Sequence, residues 1–395
     1  MKIEDRYDVI VVGAGPGGSR AAEVCAKGGL KTLCIEKRGE IGAPKRCAEG
    51  LSKSARERMG IELKPSWVSQ VITSARVYAP NRKSIRLDYE GPEGWILERK
   101  VFDKDLAKEA ARAGAKVMAK AELLGVKRED GEVKARISFH GKEREVSASI
   151  MVAADGVESK TARMLGLDTT MPLGEICSGA QFEMTNVKID PDCIDFFFDQ
   201  EMTPGGYFWI FPKGHDSANV GLGVRKPWSK KLAMEYLEEF VKNIEGLKDG
   251  SVVEVNAGAI PVGQLLENMV KDNLVVVGDA AHQVNPIHGG GIAEAYIGGT
   301  LAGETIVEAA KAKDFSEKFL SRYNERWWEQ RGNRHKKILK LRQALESMSN
   351  EDLNWIVDYL DEEDIKKISK GASFAKLAQL LIKKPKLIMI AKKLM

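Results

Sequence analysis

What this chain lacks already narrows its class. It has no run of about 18 apolar residues, so no segment reads as a bilayer-crossing helix. Its five cysteines, Cys25, Cys34, Cys47, Cys177 and Cys193, are an odd set without a C-x-x-C pair. That pattern argues against a disulfide framework and structural zinc, and it suits a reducing compartment. Histidine is equally sparse, and no histidine or cysteine group has metal-ligand spacing, so no metal is expected. The net charge of +4 is too small to suggest nucleic acid as a partner. No internal repeat or low-complexity segment is present. Met1 leads almost directly into the first strand, leaving no room for a signal or transit peptide, and the expectation is a cytoplasmic protein.

What is present is enough apolar residue, 43% of 395, for more than one domain. The chain is organised around Tyr7 to Gly18, where the apolar strand Val9-Ile10-Val11-Val12 runs into Gly13-Ala14-Gly15-Pro16-Gly17-Gly18. A helix over Arg20 to Lys27 and a strand over Lys31 to Glu36 complete a βαβ unit with G-x-G-x-x-G at its first turn, the dinucleotide-binding arrangement of Rossmann-type folds. Gly13 permits the tight turn, Gly15 lets backbone approach a pyrophosphate, and Gly18 allows close helix-to-strand packing. The helix start offers amide donors to phosphate, and Glu36 stands where a carboxylate accepts ribose hydroxyls.

Lys37 to Gly50 reads as a ligand loop at the C-terminal edge of the sheet. Trp67 to Trp95 alternates as a hairpin inserted into the α/β pattern, and Lys104 to Ala113 reads as a helix. Strands follow, with turns at Asp130-Gly131 and His140-Gly141. Ile150 to Ala154 is a buried strand closed by Asp155-Gly156. Residues 173–261 read mostly as strands, with one helix at Ser229 to Lys242. Leu274 to Val277 is again a buried strand, ended by Gly278-Asp279, and Gly289-Gly290-Gly291 opens a helix of small residues. Beyond Phe315 the pattern is helical.

The N-terminal fingerprint, Ala153-Ala154-Asp155-Gly156 and Gly278-Asp279 together resemble the motif set of the FAD-dependent flavoproteins related to para-hydroxybenzoate hydroxylase. The resemblance implies FAD as cofactor, with Asp279 at the ribityl chain, Gly291 and Ile292 near the flavin carbonyl, and Arg99 near the diphosphate. It assigns cofactor contacts also to Gly13, Gly15, Gly17, Gly18 and Glu36, to Cys47, Ala48 and Gly50 of the loop, and to Ala121 and Asp155. A helix start beside a reduced, anionic flavin would stabilise its charge. The fold class implied is α/β, a Rossmann-type FAD-binding domain with an inserted mixed β-sheet substrate domain and a helical C-terminal region. The expected boundaries are 1–66, 98–170 and 271–314 for FAD, 67–97 and 171–270 for substrate, and 315–395 for the helical region.

The second domain narrows the class. Pro204-Gly205-Gly206-Tyr207-Phe208-Trp209-Ile210-Phe211-Pro212 with Gly221-Leu222-Gly223 resembles the Y-x-W-x-F-P…G-x-G signature of the geranylgeranyl reductase family. Arg46-Cys47-Ala48-Glu49-Gly50 and Gly258-Ala259-Ile260-Pro261 resemble it too. Strand alternation places Tyr207, Trp209 and Phe211 on one face, as the wall of an apolar substrate pocket or as plain core. Cys47, Tyr207 and Trp209 are the candidates for positioning the reacting chain. Cys47 reads equally well as an inert thiol. His282 and His288 are assigned no catalytic role.

The resemblance implies reduction of double bonds in geranylgeranyl chains of archaeal-type phospholipid precursors by hydride from reduced flavin. The alternatives are a monooxygenase or halogenase of the same fold, a reductase acting on a chlorophyll or diphosphate substrate, or a flavin-loaded lipid carrier without turnover. With one dinucleotide fingerprint, electrons must come from outside, from transient NAD(P)H, a ferredoxin-like protein or another donor. Residues 373–395 mix apolar residues with lysines and hold no acid. They suit either an anionic lipid surface at the inner face of the cell membrane or helices packed on the domain.

Overall fold

The structure, a computed structural model, describes residues 3–225, 228–369, 379, 382 and 383. The chain opens with β1 (Arg6–Val12), and Gly13, at φ +103°, turns it into α1 (Pro16–Lys27). A Cβ on Gly13 would lie 2.2 Å from the Ala154 carbonyl oxygen, and one on Gly18 would lie 1.9 Å from that of Gly13. Only glycine fits either place. The helix starts at Pro16, ahead of the expected Arg20, because a first-turn N–H has no intrahelical partner and proline loses nothing there.

β2 (Thr32–Glu36) pairs parallel to β1. The next elements are β3 (Gly50–Ser52) and α2 (Lys53–Met59), where the Ser52 hydroxyl caps the helix by accepting from the Ala55 N–H at 3.2 Å. The inserted segment gives β4 (Val68–Ile72), β5 (Ser74–Tyr78), β6 (Ser84–Asp88) and β7 (Gly94–Leu97). The chain returns through α3 (Arg99–Arg112), β8 (Lys116–Ala119), β9 (Ala121–Glu129), β10 (Glu132–Phe139), β11 (Lys142–Ala153) and the short α4 (Lys160–Met164). Then come β12 (Cys177–Thr185), β13 (Cys193–Phe197), β14 (Tyr207–Pro212), β15 (Ser217–Arg225), α5 (Ala233–Asn243) and β16 (Ser251–Ile260). β17 (Val270–Lys271) and β18 (Leu274–Val276) precede the long α6 (Ile292–Ala312) and α7 (Glu317–Trp327). A π-helical turn, Trp328–Gly332, leads into α8 (Asn333–Glu346), α9 (Asn350–Val357) and α10 (Glu362–Ser369).

Among the described residues these strands form three sheets. The first runs β17-β18-β11-β1-β2-β8, parallel from β18 to β8, with β10 pairing to β11 and β9 to β10. Its core joins Val9–Val12, Leu33–Ile35 and Ile150–Ala153 to the small residues of α1 and α6. The two helices approach closely because a side chain on Gly299 would strike the Gly17 carbonyl oxygen at 2.2 Å.

The second sheet runs β16-β12-β15-β14-β13-β5-β6, so the early hairpin β5-β6 completes a sheet whose other strands come much later. On one face Phe208, Ile210, Val220 and Leu222 pack against α5, with Phe208 stacked on Phe240 at 3.8 Å. The other face turns toward the first sheet's loops. The segment expected as one hairpin is divided: β4 and β7 leave β5-β6 and join β3 in the third sheet, order β3-β7-β4. The α5 helix begins at Ala233, later than the expected Ser229, with Glu235 returning to bond the Leu232 N–H. The helical C-terminal pattern is interrupted after Met348, where Ser349 and Asp352 form a capping box that starts α9.

Gly18→Ala forces a methyl into the Gly13 carbonyl. It is expected to destabilise the protein by about 1–3 kcal/mol, read as a lower urea midpoint at unchanged slope. An unchanged midpoint would mean that this turn is not as tightly closed as described.

Candidate active site

The parallel strands β18, β11, β1 and β2 end at one edge of the first sheet, the expected cofactor cleft. At the start of α1 no side chain caps the helix, and nothing lies within 4 Å of the place a Gly15 side chain would take. Free amides and the positive end of the helix therefore face open space. Glu36 is held at the rim by backbone: Oε2 accepts from the Ala14 N–H at 3.2 Å and Oε1 from the Arg38 N–H at 3.0 Å. Asp155 accepts from the Thr161 N–H at 2.8 Å through Oδ2, while its buried Oδ1 has no hydrogen-bond partner among the described residues. A buried carboxylate oxygen left so is costly unless a ligand donates to it.

Asp279 lies in the turn after β18, with a Gly291 side-chain position 3.1 Å from its Oδ1. Burial pushes its carboxyl pKa up, and the Arg99 charge opposes that shift. Gly291 and Ile292 open α6, again without a side-chain cap. Arg99 grips Asp103 through Nε and one terminal nitrogen, both at 2.7 Å, and its charge also acts on Cys47. Ala121 is fully buried at the start of β9, beside the Lys120 amide that bonds the Arg38 carbonyl. An uncapped helix start, an acidic rim and an unpartnered buried oxygen suit a bound FAD.

The loop before β3 joins this cleft to the second sheet. Cys47 Sγ accepts from the Glu49 N–H at 3.2 Å, and burial keeps its thiol protonated against the pull of Arg99. Tyr207, Trp209 and Phe211 share one face of β14 and pack there with Ile72 of β4, Ile96 of β7 and Phe196 of β13. The Trp209 Nε1–H donates to Gln181 Oε1 at 3.0 Å, and Gln181 Nε2 donates to the Cys47 carbonyl at 3.1 Å. Gly221 lies beside the indole, where any side chain would strike the ring at 2.5 Å. Phe211 covers Gly50, and the Tyr207 hydroxyl donates to the His288 carbonyl at 2.7 Å. Burial also keeps the Tyr207 phenol protonated. A cavity of about 60 Å³ lies against Tyr207, Trp209, Cys177, Ile260, His288 and Leu345.

Sequence reasoning missed the charged network behind this wall. Glu49, fully buried at φ 73°, accepts from the Arg99 N–H at 2.8 Å and from Asn219 Nδ2 at 2.9 Å. It pairs with Lys45 at 3.3 Å and Lys213 at 3.0 Å, and both lysines also meet Glu183. The available signal was a Lys–Glu pair four apart inside an otherwise small-residue loop. Gln181 left no signal, because its role depends on strand register. His282 is structural: Nδ1 lies 2.9 Å from the Gln264 carbonyl and Nε2 lies 3.2 Å from that of Thr169. His288 lines the cavity beside Tyr207, and desolvation pushes its ring down to about 4, leaving it neutral at pH 7.

Residues 175–260 match the model of the geranylgeranyl reductase catalytic domain, and residues 8–74 match an FAD-binding domain. Digeranylgeranylglycerophospholipid reductase 2 of Methanopyrus kandleri is 43% identical across 98% of this chain and 99% of its own. Digeranylgeranylglycerophospholipid reductase of Methanocaldococcus jannaschii is 42% identical across the full length of both. Among solved structures, a geranylgeranyl bacteriochlorophyll reductase-like protein of Thermoplasma acidophilum superposes with TM-score 0.91 at 37% identity, covering 99% of this chain and 100% of that one. A flavin-dependent brominase, at 18% identity and TM-score 0.74 over 93% of this chain and 94% of its own, shares the fold alone.

Fold, cleft and domain matches define an FAD-dependent flavoprotein oxidoreductase. Among such enzymes the chain belongs to the digeranylgeranylglycerophospholipid reductase family.

Glu294, in the first turn of α6, gives a test of the packing behind the cleft. Burial alone would raise its carboxyl pKa, but His335 and Arg331 hold it down to about 2 against an ordinary 4.5. The unfolded chain therefore takes up this proton first as pH falls. The stabilisation is complete above about pH 4.5, is lost toward pH 2, and amounts to at most about 3 kcal/mol. Glu294→Gln should remove that part of the acid-induced loss. Identical pH–stability slopes in the two proteins over this range would contradict the assignment.

Proposed function

We propose that this chain saturates double bonds in the geranylgeranyl chains of archaeal-type phospholipid precursors. The names and full-length similarity of its relatives support the substrate class. The observation that carries the reading is the connection Trp209–Gln181–Cys47, which fixes an aromatic wall to the loop beside the proposed flavin. Bound and reduced, FAD supplies the hydride.

The chain's own residues supply position and dryness. Isolated alkenes accept hydride poorly, so the double bond must be held close and away from water. Tyr207, Trp209 and Phe211 form the apolar wall, with Cys47 as a neutral thiol at its edge. At about 60 Å³ the cavity is far below the few hundred Å³ of an ordinary ligand pocket, so in this reading its walls part to admit a prenyl chain. Gly13, Gly15, Gly17 and Gly18 would receive the diphosphate and Glu36 the ribose. Asp155, Asp279, Gly291 and Ile292 would hold the flavin end, with Arg99, Ala48, Gly50 and Ala121 around it. In this reading 1–66, 98–170 and 271–314 hold FAD, 67–97 and 171–270 hold the lipid, and 315–395 cover them.

Electrons come from an external donor, whether NAD(P)H, a ferredoxin-like protein or another. In this reading the enzyme is cytoplasmic and meets its lipid at the inner face of the cell membrane. Among the described residues no helix is long and apolar enough to cross it. The lysine-rich stretch 373–395, which suggested a lipid surface, lies almost wholly outside the described residues.

Trp209→Ala should retain FAD and lose alkene reduction on the order of 10²-fold, as for a misplaced reacting group. Mass spectrometry of prenyl phospholipid incubated anaerobically with dithionite-reduced protein reads it as lost gain of two hydrogens per double bond. Incorporation of oxygen or halogen by the wild-type protein, or flavin loss in the variant, would sink the reading.

A further inference from the structure

Leu173 is 79% exposed and Leu232 is 66% exposed, the two highest values for large apolar side chains among the described residues. Trp228 is 48% exposed, and Lys230 and Lys231 beside it also face solvent. Single apolar residues at a surface are ordinary, but these belong to one structure. Arg225, buried at the end of β15, brings them together. Its Nε donates to the Gly174 carbonyl at 3.1 Å, next to Leu173, and its guanidinium lies against the Trp228 ring at 4.9 Å. The Ser229 N–H donates to the Arg225 carbonyl at 3.1 Å, and the Lys230 N–H to the Tyr236 hydroxyl at 3.3 Å. These bonds tie the turn from Trp228 to Leu232 to β15 and α5.

The same group touches the cavity from outside. Gly205, at φ +69°, lines the cavity, and a Cβ there would lie 2.8 Å from the Trp228 ring. Glycine therefore leaves no side chain of its own between the indole and that stretch of wall. Arg225 also pairs with Glu346, another lining residue. A second exposed apolar stretch, Val252, Val253 and Val255, lies toward the opposite end of β16 from Ile260, which lines the cavity. Carboxylates near the first group are engaged: Glu175 by Arg225 and Arg342, Glu239 by Lys231, and Glu235 by the Leu232 N–H.

We propose that Leu173, Trp228 and Leu232, with Lys230 and Lys231, dock this protein on the surface of an anionic phospholipid bilayer, with the cavity opening toward the membrane beside Trp228. Tryptophan and leucine suit the boundary between head groups and acyl chains, and lysines there meet lipid phosphates. The occupant follows from the neighbouring cavity. A lipid with geranylgeranyl chains resides in a bilayer, and an apolar surface against the cavity wall lets such a chain pass inward without crossing water. That passage rests on the proposed function; the docking surface rests on exposure, chemistry and position.

The test uses the FAD-loaded full chain and a Leu173→Gln/Leu232→Gln variant, which changes exposed side chains and leaves Trp228 over Arg225. Flotation with vesicles of phosphatidylglycerol and phosphatidylcholine reads docking. Dithionite-driven reduction is compared for geranylgeranyl phospholipid embedded in those vesicles and dispersed in detergent. The wild type is expected to float with the vesicles. The variant's partition coefficient falls on the order of ten-fold or more, because apolar area that would leave water no longer does. The ratio of embedded to dispersed lipid reduced falls with it. FAD content and thermal midpoint serve as controls for folding. Equal flotation of the two proteins, whether both bind or neither does, would overturn the docking surface. Flotation lost with the ratio unchanged would overturn the passage from membrane to cavity. Wild-type protein that floats, with a variant that does not, yet reduces neither form of the lipid would support the docking surface and count against the proposed function.

Discussion

A single buried carboxylate governs how this molecule is put together. Glu49 is wholly removed from water, and an ionised group there is tolerable only if donors replace its hydration. Those donors come from four places in the chain: Lys45 in its own loop, the Arg99 amide at the start of α3, Lys213 just past β14, and Asn219 on β15. Lys213 and Asn219 come near Glu49 only when the second sheet is already in register with the loop. The charge network is weak as a source of stability and strong as a specification of geometry, since removing any one partner strands the others. The left-handed backbone at Glu49 belongs to the same constraint, as it turns the carboxylate inward between the sheets.

With the loop fixed, the chemistry follows from what it carries. Cys47 and Gly50 lie two residues and one residue from Glu49, so the fixed carboxylate also fixes where the loop holds its thiol and backbone. Its Cys47 carbonyl is meanwhile bonded to Gln181 and through it to Trp209. The wall and the cleft are thereby held as one body. Such rigidity is what a reaction with no polar handle on its substrate requires, because position must do what charge cannot. The glycines of the first turn bring backbone to within contact of Ala154 and leave the start of α1 without a side-chain cap.

Much of this was legible in the residues. Val9–Val12 with its glycines could be read directly, as local spacing alone determines a tight strand-to-helix turn. The alternation of Tyr207, Trp209 and Phe211 likewise required only the two-residue period of a strand. Other features were closed to sequence reasoning for physical reasons. The division of residues 67–97 between two sheets depends on partners far along the chain, β13 for β5 and β3 for β7. Gln181 acquires its role from strand register, and Lys213 from a salt bridge across the sheet edge. The π-helical turn is a wide turn inside an otherwise ordinary helical pattern, without proline or glycine at its start to announce it.

The central claim is that the aromatic wall presents an isolated double bond to reduced flavin in the adjoining cleft. Its most direct test is photometric: FAD-loaded protein is reduced stoichiometrically under anaerobic conditions, and the flavin absorbance is followed after geranylgeranyl phospholipid is added. Return of the oxidised flavin spectrum with lipid alone is the predicted result. Flavin that stays bleached with lipid and regains its colour only when oxygen is admitted would contradict the claim.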